Sequence, residues 1–196
     1  RMSKSLGTGV DPIAVIEEVG ADALRWFLAS QTGENQDLRY RAASVVESRN
    51  WANKVWNSAR FIVASAASGG VSDPARVGPS EPVDRWLLAR LTETEAKVRK
   101  AYDECAALRD FWWNDVCDRY IEVAKSRLQA GEAAQAALLR QALEAFLKML
   151  HPVMPHLTEE IWSVVRPSRS PVSGTFEVPA GTSFETTMAS DTGDLE

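Results

Sequence analysis

Apolar residues return at intervals of three and four along most of this chain, the spacing that lines one face of an α-helix. Trp51, Val55, Ala59 and Ile62 make such a stripe in a segment that reads as helical from Val45. Val83, Leu87, Leu91, Thr94, Val98, Tyr102 and Cys105 make a second stripe, and Leu108, Phe111, Trp112, Val116, Tyr120, Ala124 and Leu128 a third. Leu139, Leu143, Phe146, Leu147 and Leu150 mark a further helix, stopped by His151-Pro152 because a residue before proline avoids the helical region. A last short helix is expected at Thr158-Glu159-Glu160-Ile161-Trp162, ahead of Pro167.

The punctuation between the stripes agrees with them. Asp11-Pro12 starts a helix, with Asp as N-cap and Pro at the first helical position, where its missing N–H costs nothing. Gly20 ends that helix, Asp22 opens another through Trp26 and Leu28, and Gln31 to Tyr40 reads as a connecting loop. Gly69-Gly70 through Pro82 is a turn-rich linker. Long helices with one apolar stripe each must bury those stripes on one another, so the expected fold is mostly α, a helical bundle. Three divisions follow: a stem segment over 1–41, the bundle over 42–166, and an acidic tail over 167–196 without helical period. In that tail Thr175–Val178 and Ser183–Thr186 fit two short strands, and the composition fits disorder equally well.

Composition changes this picture little. With 45% hydrophobic residues in 196, a real core is within reach. No apolar run approaches the roughly 20 residues of a membrane helix, so no membrane partner is expected. Cys105 and Cys117 match no zinc spacing and read as buried free thiols in a reducing cytoplasm. No metal site is expected. His151 and His156 flank two prolines in poor metal geometry, and Asp115, Asp118 and Glu122 beside Arg119 and Lys125 read as an ion-paired helix face. Nearly all of the net charge of -5 arises in the tail: residues 1–44 hold 5 basic and 6 acidic side chains, residues 45–166 hold 16 and 16, and residues 167–196 hold 1 and 5. Charge therefore neither supports nor excludes nucleic acid.

The chemistry lies at the start. Arg1-Met2-Ser3-Lys4-Ser5 sets two cations among hydroxyls on a glycine-followed loop, able to fold over a polyphosphate. By itself such a run is usually a solvated terminus. Here, however, RMSKSLGTGVDP and VGADALRWFLAS (19–30) resemble the KMSKS signature of class I aminoacyl-tRNA synthetases and the helix that trails it. RNWANKVWNSARF (49–61), DRWLLARL (84–91), FWWNDVCDRYIEVAKSRL (111–128) and LHPVMPHLTEEIW (150–162) are similar to successive helices of the anticodon-binding domain in the valyl, isoleucyl and leucyl subgroup. The 49–61 block and the Cys-Asp-x-Tyr-x-Glu block favour the valyl branch.

The resemblance implies an ATP-dependent ligase that joins valine to its tRNA. Lys4 is then catalytic, binding the phosphates of ATP (with Mg in the substrate complex) and stabilising the transition state of adenylation. Arg1, Met2, Ser3 and Ser5 complete the ATP-binding loop. Arg1 stands where lysine is usual; it keeps the charge as a planar fork. No His-x-Gly-His motif, nucleotide-binding sheet or editing insertion accompanies the loop, so this stretch alone is expected to be inactive. The expected partner is tRNA rather than DNA, in the cytoplasm. Rival readings are an isoleucyl or leucyl relative, and a synthetase-derived module that binds protein.

Anticodon bases are splayed single strands, read by aromatic stacking and by amide or guanidinium hydrogen bonds. Asn53, Asn57 and Arg60 follow i, i+4 and i+7 and share one helix face, so they are the candidate tRNA-binding residues. Asn50 and Lys54 lie nearby. Trp51 and Trp56 of the same helix, and one of Trp112 and Trp113, read more simply as core.

Overall fold

The computed structural model describes residues 9–31, 40–70, 78–100 and 105–166. Helix α1 spans Pro12–Val19 and α2 spans Ala21–Gln31. Asp11 caps α1 through its carboxylate, which accepts the Ile13 N–H at 3.0 Å, and Pro12 opens the helix. Gly20 separates the two with φ of 91°, a left-handed conformation that side chains disfavour. The second helix includes Gln31, where the sequence placed the start of the connecting loop; residues 32–39 of that loop lie outside the described residues.

Helix α3, Ala42–Ser68, starts three residues before Val45 and carries the predicted stripe inward: Trp51, Val55, Ala59 and Ile62 are all buried. Helix α4 spans Pro82–Lys100, with Leu87, Leu91, Thr94 and Val98 buried. The expected continuation through Tyr102 falls on residues 101–104, which lie outside the described residues. From Cys105 the described helical run comprises α5 (Cys105–Asp110), a π-helical segment (Phe111–Tyr120) and α6 (Ile121–Gln129). Helix α7 is Ala133–Leu150. Helix α8 is Pro155–Val165, and with proline at its first position it begins earlier than Thr158. All described elements are helical. The tail expectations over 171–196 lie outside the described residues.

The π-helical segment explains a run the α-period handles poorly. Trp112, Val116, Tyr120, Ala124 and Leu128 are strictly four apart, and all are buried. In an α-helix of 3.6 residues per turn such a series drifts around the axis in one direction. The π-winding, with i→i+5 bonds and wider turns, drifts the other way over Phe111–Tyr120. Its end is marked by the Ile121 N–H bonding the Val116 carbonyl. The two drifts offset each other, and one side chain per turn stays in the core.

That core is aromatic at its centre. The Trp112 ring stacks on Phe146 of α7 at 4.1 Å between centroids. Trp51 of α3 lies 5.4 Å from Trp26 of α2 and 6.3 Å, edge-on, from Phe146. Trp26 thus belongs to the main core, while its neighbour Phe27 joins Val15, Val19, Ala23 and Val45 in a smaller cluster beneath α1. Helix α3 is the spine, packed on α2, α7, α8 and the π-helical segment.

Candidate nucleic-acid interface

Burying the Trp51–Ile62 stripe turns the opposite side of α3 outward. Asn53, Asn57 and Arg60 are all exposed there, and none of their side chains has a hydrogen bond or ion pair among the described residues. Asn50 is exposed as well. Lys54, one residue further around, is committed: its ammonium lies 3.2 Å from Asp118 and 4.6 Å from the Trp113 ring centroid.

Asn57 and Arg60 border a groove of about 580 Å³ between α3 and α8. Trp56, Phe61, Ala64 and Ala67 form its α3 wall, and Ile161 and Val164 its α8 wall. Phe61 is 38% exposed and Val164 56%, so the groove keeps apolar side chains from both walls open to water. The groove therefore combines an aromatic and aliphatic surface with an amide and a guanidinium free to donate. Asn53 lies a turn away and does not line it.

Sequence reasoning found the polar rim and missed the groove. Trp56, expected as core, is only half-buried and lines the groove, whereas Trp51 is 1% exposed. Phe61 and Val164 were not singled out, although Phe61 falls on the non-core side of the α3 stripe, a signal available in the spacing. The groove needs α8, some hundred residues distant, and no local pattern announces that meeting.

The floor behind the rim is fixed. Ser58, next to Asn57, donates to the Lys54 and Val55 carbonyls at 2.9 and 3.0 Å and accepts the Trp112 indole N–H at 2.9 Å. Of the two adjacent tryptophans, Trp112 is fully buried and Trp113 half-buried, stacked 6.1 Å from Trp51. Burial pushes the Cys117 thiol above its usual value, against the pull of Ser58 and Lys54; Cys117 is half-buried and Cys105 buried, both free.

A second polar cluster, centred on Asp84, is densely hydrogen-bonded, although the Gln135 Oε1 is buried without a partner among the described residues. Asp84 accepts the Tyr120 hydroxyl at 2.7 Å, the Ser80 and Glu81 backbone N–H groups at 3.1 and 3.0 Å, and the Ser80 hydroxyl at 3.0 Å. Burial would raise its pKa, but these bonds outweigh burial and hold the carboxyl below the usual range. Tyr120 is held neutral, first by burial and then by Asp84, and also accepts from Gln135. Arg127 reaches Ser80 and Glu132 at 2.8 Å each and Asp84 at 3.5 Å. The acidic row along the π-helical segment and α6 pairs as expected within its own helical run (Arg119 with Asp115 at 3.3 Å, Lys125 with Glu122 at 2.6 Å). It also pairs across helices, since Asp115 takes Arg90 at 2.8 Å and Asp118 takes Lys54. His151 is bonded to Thr158 at 2.8 Å in the turn before α8.

The proposed ATP loop, Arg1, Met2, Ser3, Lys4 and Ser5, lies outside the described residues. Among the described residues no helix is long and apolar enough to cross a membrane.

The chain belongs to the family described as the anticodon-binding domain of tRNA ligase, matched over residues 84–188, in keeping with its helical bundle. The family of class I tRNA synthetases (M) matches residues 1–60. More particularly, the chain is similar to valine–tRNA ligases. It is 40% identical over 175 residues to that of Enterococcus faecalis, covering 84% of this chain and 20% of the relative. With that of Geobacillus kaustophilus it shares 42% over 172 residues, covering 83% and 20%. The chain thus spans about a fifth of the length of the relatives it matches. In fold it resembles the Mycobacterium tuberculosis methionyl-tRNA synthetase in complex with methionyl-adenylate, with a TM-score of 0.69 at 24% identity over 83% of this chain and 35% of that one. It also resembles the Agrobacterium radiobacter K84 agnB2 LeuRS of a ternary tRNA–LeuAMS complex, with a TM-score of 0.64 at 23% identity over 88% and 21%.

Proposed function

We propose that this chain binds the anticodon arm of a valine tRNA, within a cytoplasmic ligase that uses ATP to attach valine. The observation that carries the reading is the pairing of Asn57 and Arg60, exposed and without partners among the described residues, with the open aromatic groove beside them. A splayed base needs an apolar surface to lie on and donors that recognise its edge, and both are present within one turn of α3. Asn53 extends the same row toward the neighbouring nucleotide. In the whole protein Lys4 stabilises the charge that develops on the ATP phosphates, with Arg1, Met2, Ser3 and Ser5 shaping the loop around Mg-bound ATP. Residues 1–41 serve as the stem between that loop and the bundle at 42–166, and 167–196 as a tail.

The test is tRNA affinity of the intact protein for valine tRNA and for the same tRNA with an altered anticodon, at two salt concentrations. Asn57→Ala should weaken binding of the native tRNA by roughly 1–3 kcal/mol and hardly change the altered one. Arg60→Ala should also flatten the salt dependence. Equal losses on both tRNAs would remove these residues from base reading.

A further inference from the structure

Helices α2 and α3 and the run from α5 into the π-helical segment border a second cleft, of about 420 Å³, which shares no lining residue with the α3–α8 groove. Its floor is a row of indoles. Trp26 lies 5.4 Å from Trp51, and Trp51 lies 6.1 Å from Trp113, stacked within 22° of parallel. Trp51 is 1% exposed, and its Nε1–H is buried without a partner among the described residues. The buried Trp112 N–H, by contrast, has Ser58 as its acceptor. Leaving the Trp51 donor unmatched costs free energy that a bound acceptor would recover.

The walls carry charges that the fold does not use. Arg109 is exposed, its guanidinium carbon 5.7 Å from the Trp113 centroid, and it has no hydrogen bond or ion pair among the described residues. Contact through the guanidinium face leaves the N–H edge free. Lys54, on the same ring, is tied to Asp118 instead. Glu47 on α3, and Asp110 and Asn114 near Arg109, also line the cleft, and their exposed side chains have no partner among the described residues. A ligand that suits this set is flat, with paired acceptors for a guanidinium and N–H groups for a carboxylate. Guanine meets both demands, since N7 and O6 are adjacent acceptors and the amino group donates. One guanidinium against two carboxylates leaves the cleft net negative, so the phosphate of a nucleotide stays outside and salt should matter little.

We propose that this cleft binds one unpaired guanine base. Arg109 takes its N7 and O6 acceptors, Glu47 or Asp110 takes its N–H donors, and the Trp51 N–H takes a further acceptor of the nucleoside. The site stands independently of the anticodon reading of the groove. The guanine comes from a free nucleotide or from a single-stranded stretch of RNA, because both present the same edges.

Equilibrium dialysis of the intact protein tests this with three probes: guanosine monophosphate, inosine monophosphate, which lacks the amino group, and a short oligouridine carrying one central guanosine. Guanosine monophosphate should bind more tightly than the inosine form, with little change between low and high salt. Arg109→Ala should weaken it about 10- to 150-fold, the worth of hydrogen bonds to a charged group. Trp51→Phe keeps an aromatic ring and removes the N–H; it should weaken binding about 2- to 12-fold while the melting temperature holds. The double variant Glu47→Gln with Asp110→Asn should bind the two mononucleotides alike. Asn57→Ala, in the groove, should change none of these values. Tighter binding of the oligonucleotide than of the mononucleotide supports RNA as the source, and the reverse supports a free nucleotide. The proposal is overturned if guanosine monophosphate is not retained, if both mononucleotides bind the unmodified protein alike, or if Asn57→Ala abolishes binding. It is equally overturned if Arg109→Ala binds as the unmodified protein does; because Arg109 is exposed, that variant decides the matter even if Trp51→Phe does not fold.

Discussion

Arg127 and Arg60 carry the same guanidinium on the same bundle, in opposite surroundings. Arg127 is enclosed by Ser80, Asp84 and Glu132 on the α4–α6 side, in a network that also uses Tyr120 and Gln135. Arg60, on the outward face of α3, has no partner among the described residues and stands beside exposed Phe61. Stability explains the first arrangement, because buried polar groups left unsatisfied cost more than the bonds themselves contribute. It does not explain the second, since an unpaired exposed arginine adds almost nothing to folding. Where the bundle holds itself together its polar groups face one another; on the face proposed to bind tRNA they face outward. The difference separates scaffold from site better than residue type does.

The comparison can be broken most severely from the scaffold side. Trp112→Ala removes the ring stacked on Phe146 and the indole N–H bonded to Ser58, and should cost about 3–5 kcal/mol of unfolding free energy in denaturant melts. Should the chain tolerate it with less than about 1 kcal/mol, well under the usual range for a buried aromatic, the floor under Asn57 is not held as described.

Asp84→Asn is the next test. The amide replaces an acceptor-only carboxylate with a group that presents N–H toward existing donors, and roughly 1.5–3 kcal/mol should be lost near neutral pH. The folded carboxyl lies below its unfolded value, so its stabilisation is complete above the ordinary carboxylate range and disappears as pH falls through the folded value. The gap between variant and parent should accordingly close in acid. Tyr120 has the opposite sign: its folded value is raised, so stability is intact below about pH 10, where an unfolded tyrosine ionises, and declines as pH rises further. A gap independent of pH on the acid side would mean that Asp84 is not the charged centre of that network.

The smallest effect sharpens the other half of the contrast. Arg60→Ala should alter the unfolding free energy by no more than about 0.5 kcal/mol, as surface changes away from special features do. A loss comparable to that of Asp84→Asn would show that the outward face is scaffold too.

Much of the architecture was legible because its causes are local. Asp11-Pro12 and Gly20 bound α1 through capping and backbone preference, and the Trp51–Ile62 stripe buries one side of α3 and exposes Asn53, Asn57 and Arg60 by helical period alone. His151-Pro152 ends α7 for the same kind of reason. Tertiary structure decided the rest. Four-residue spacing from Trp112 to Leu128 reads as α until packing selects a π-wound segment that keeps each side chain inward. Asp115 and Asp118 are an i, i+3 row in sequence, yet their partners include Arg90 and Lys54 from two other helices. Trp56 and Val164 become walls of one groove only because α3 and α8 pack side by side. A helix records its own hydrogen bonds and apolar face within a few residues of sequence, whereas a groove or a cross-helix bond is a distance between segments that only the folded packing brings close.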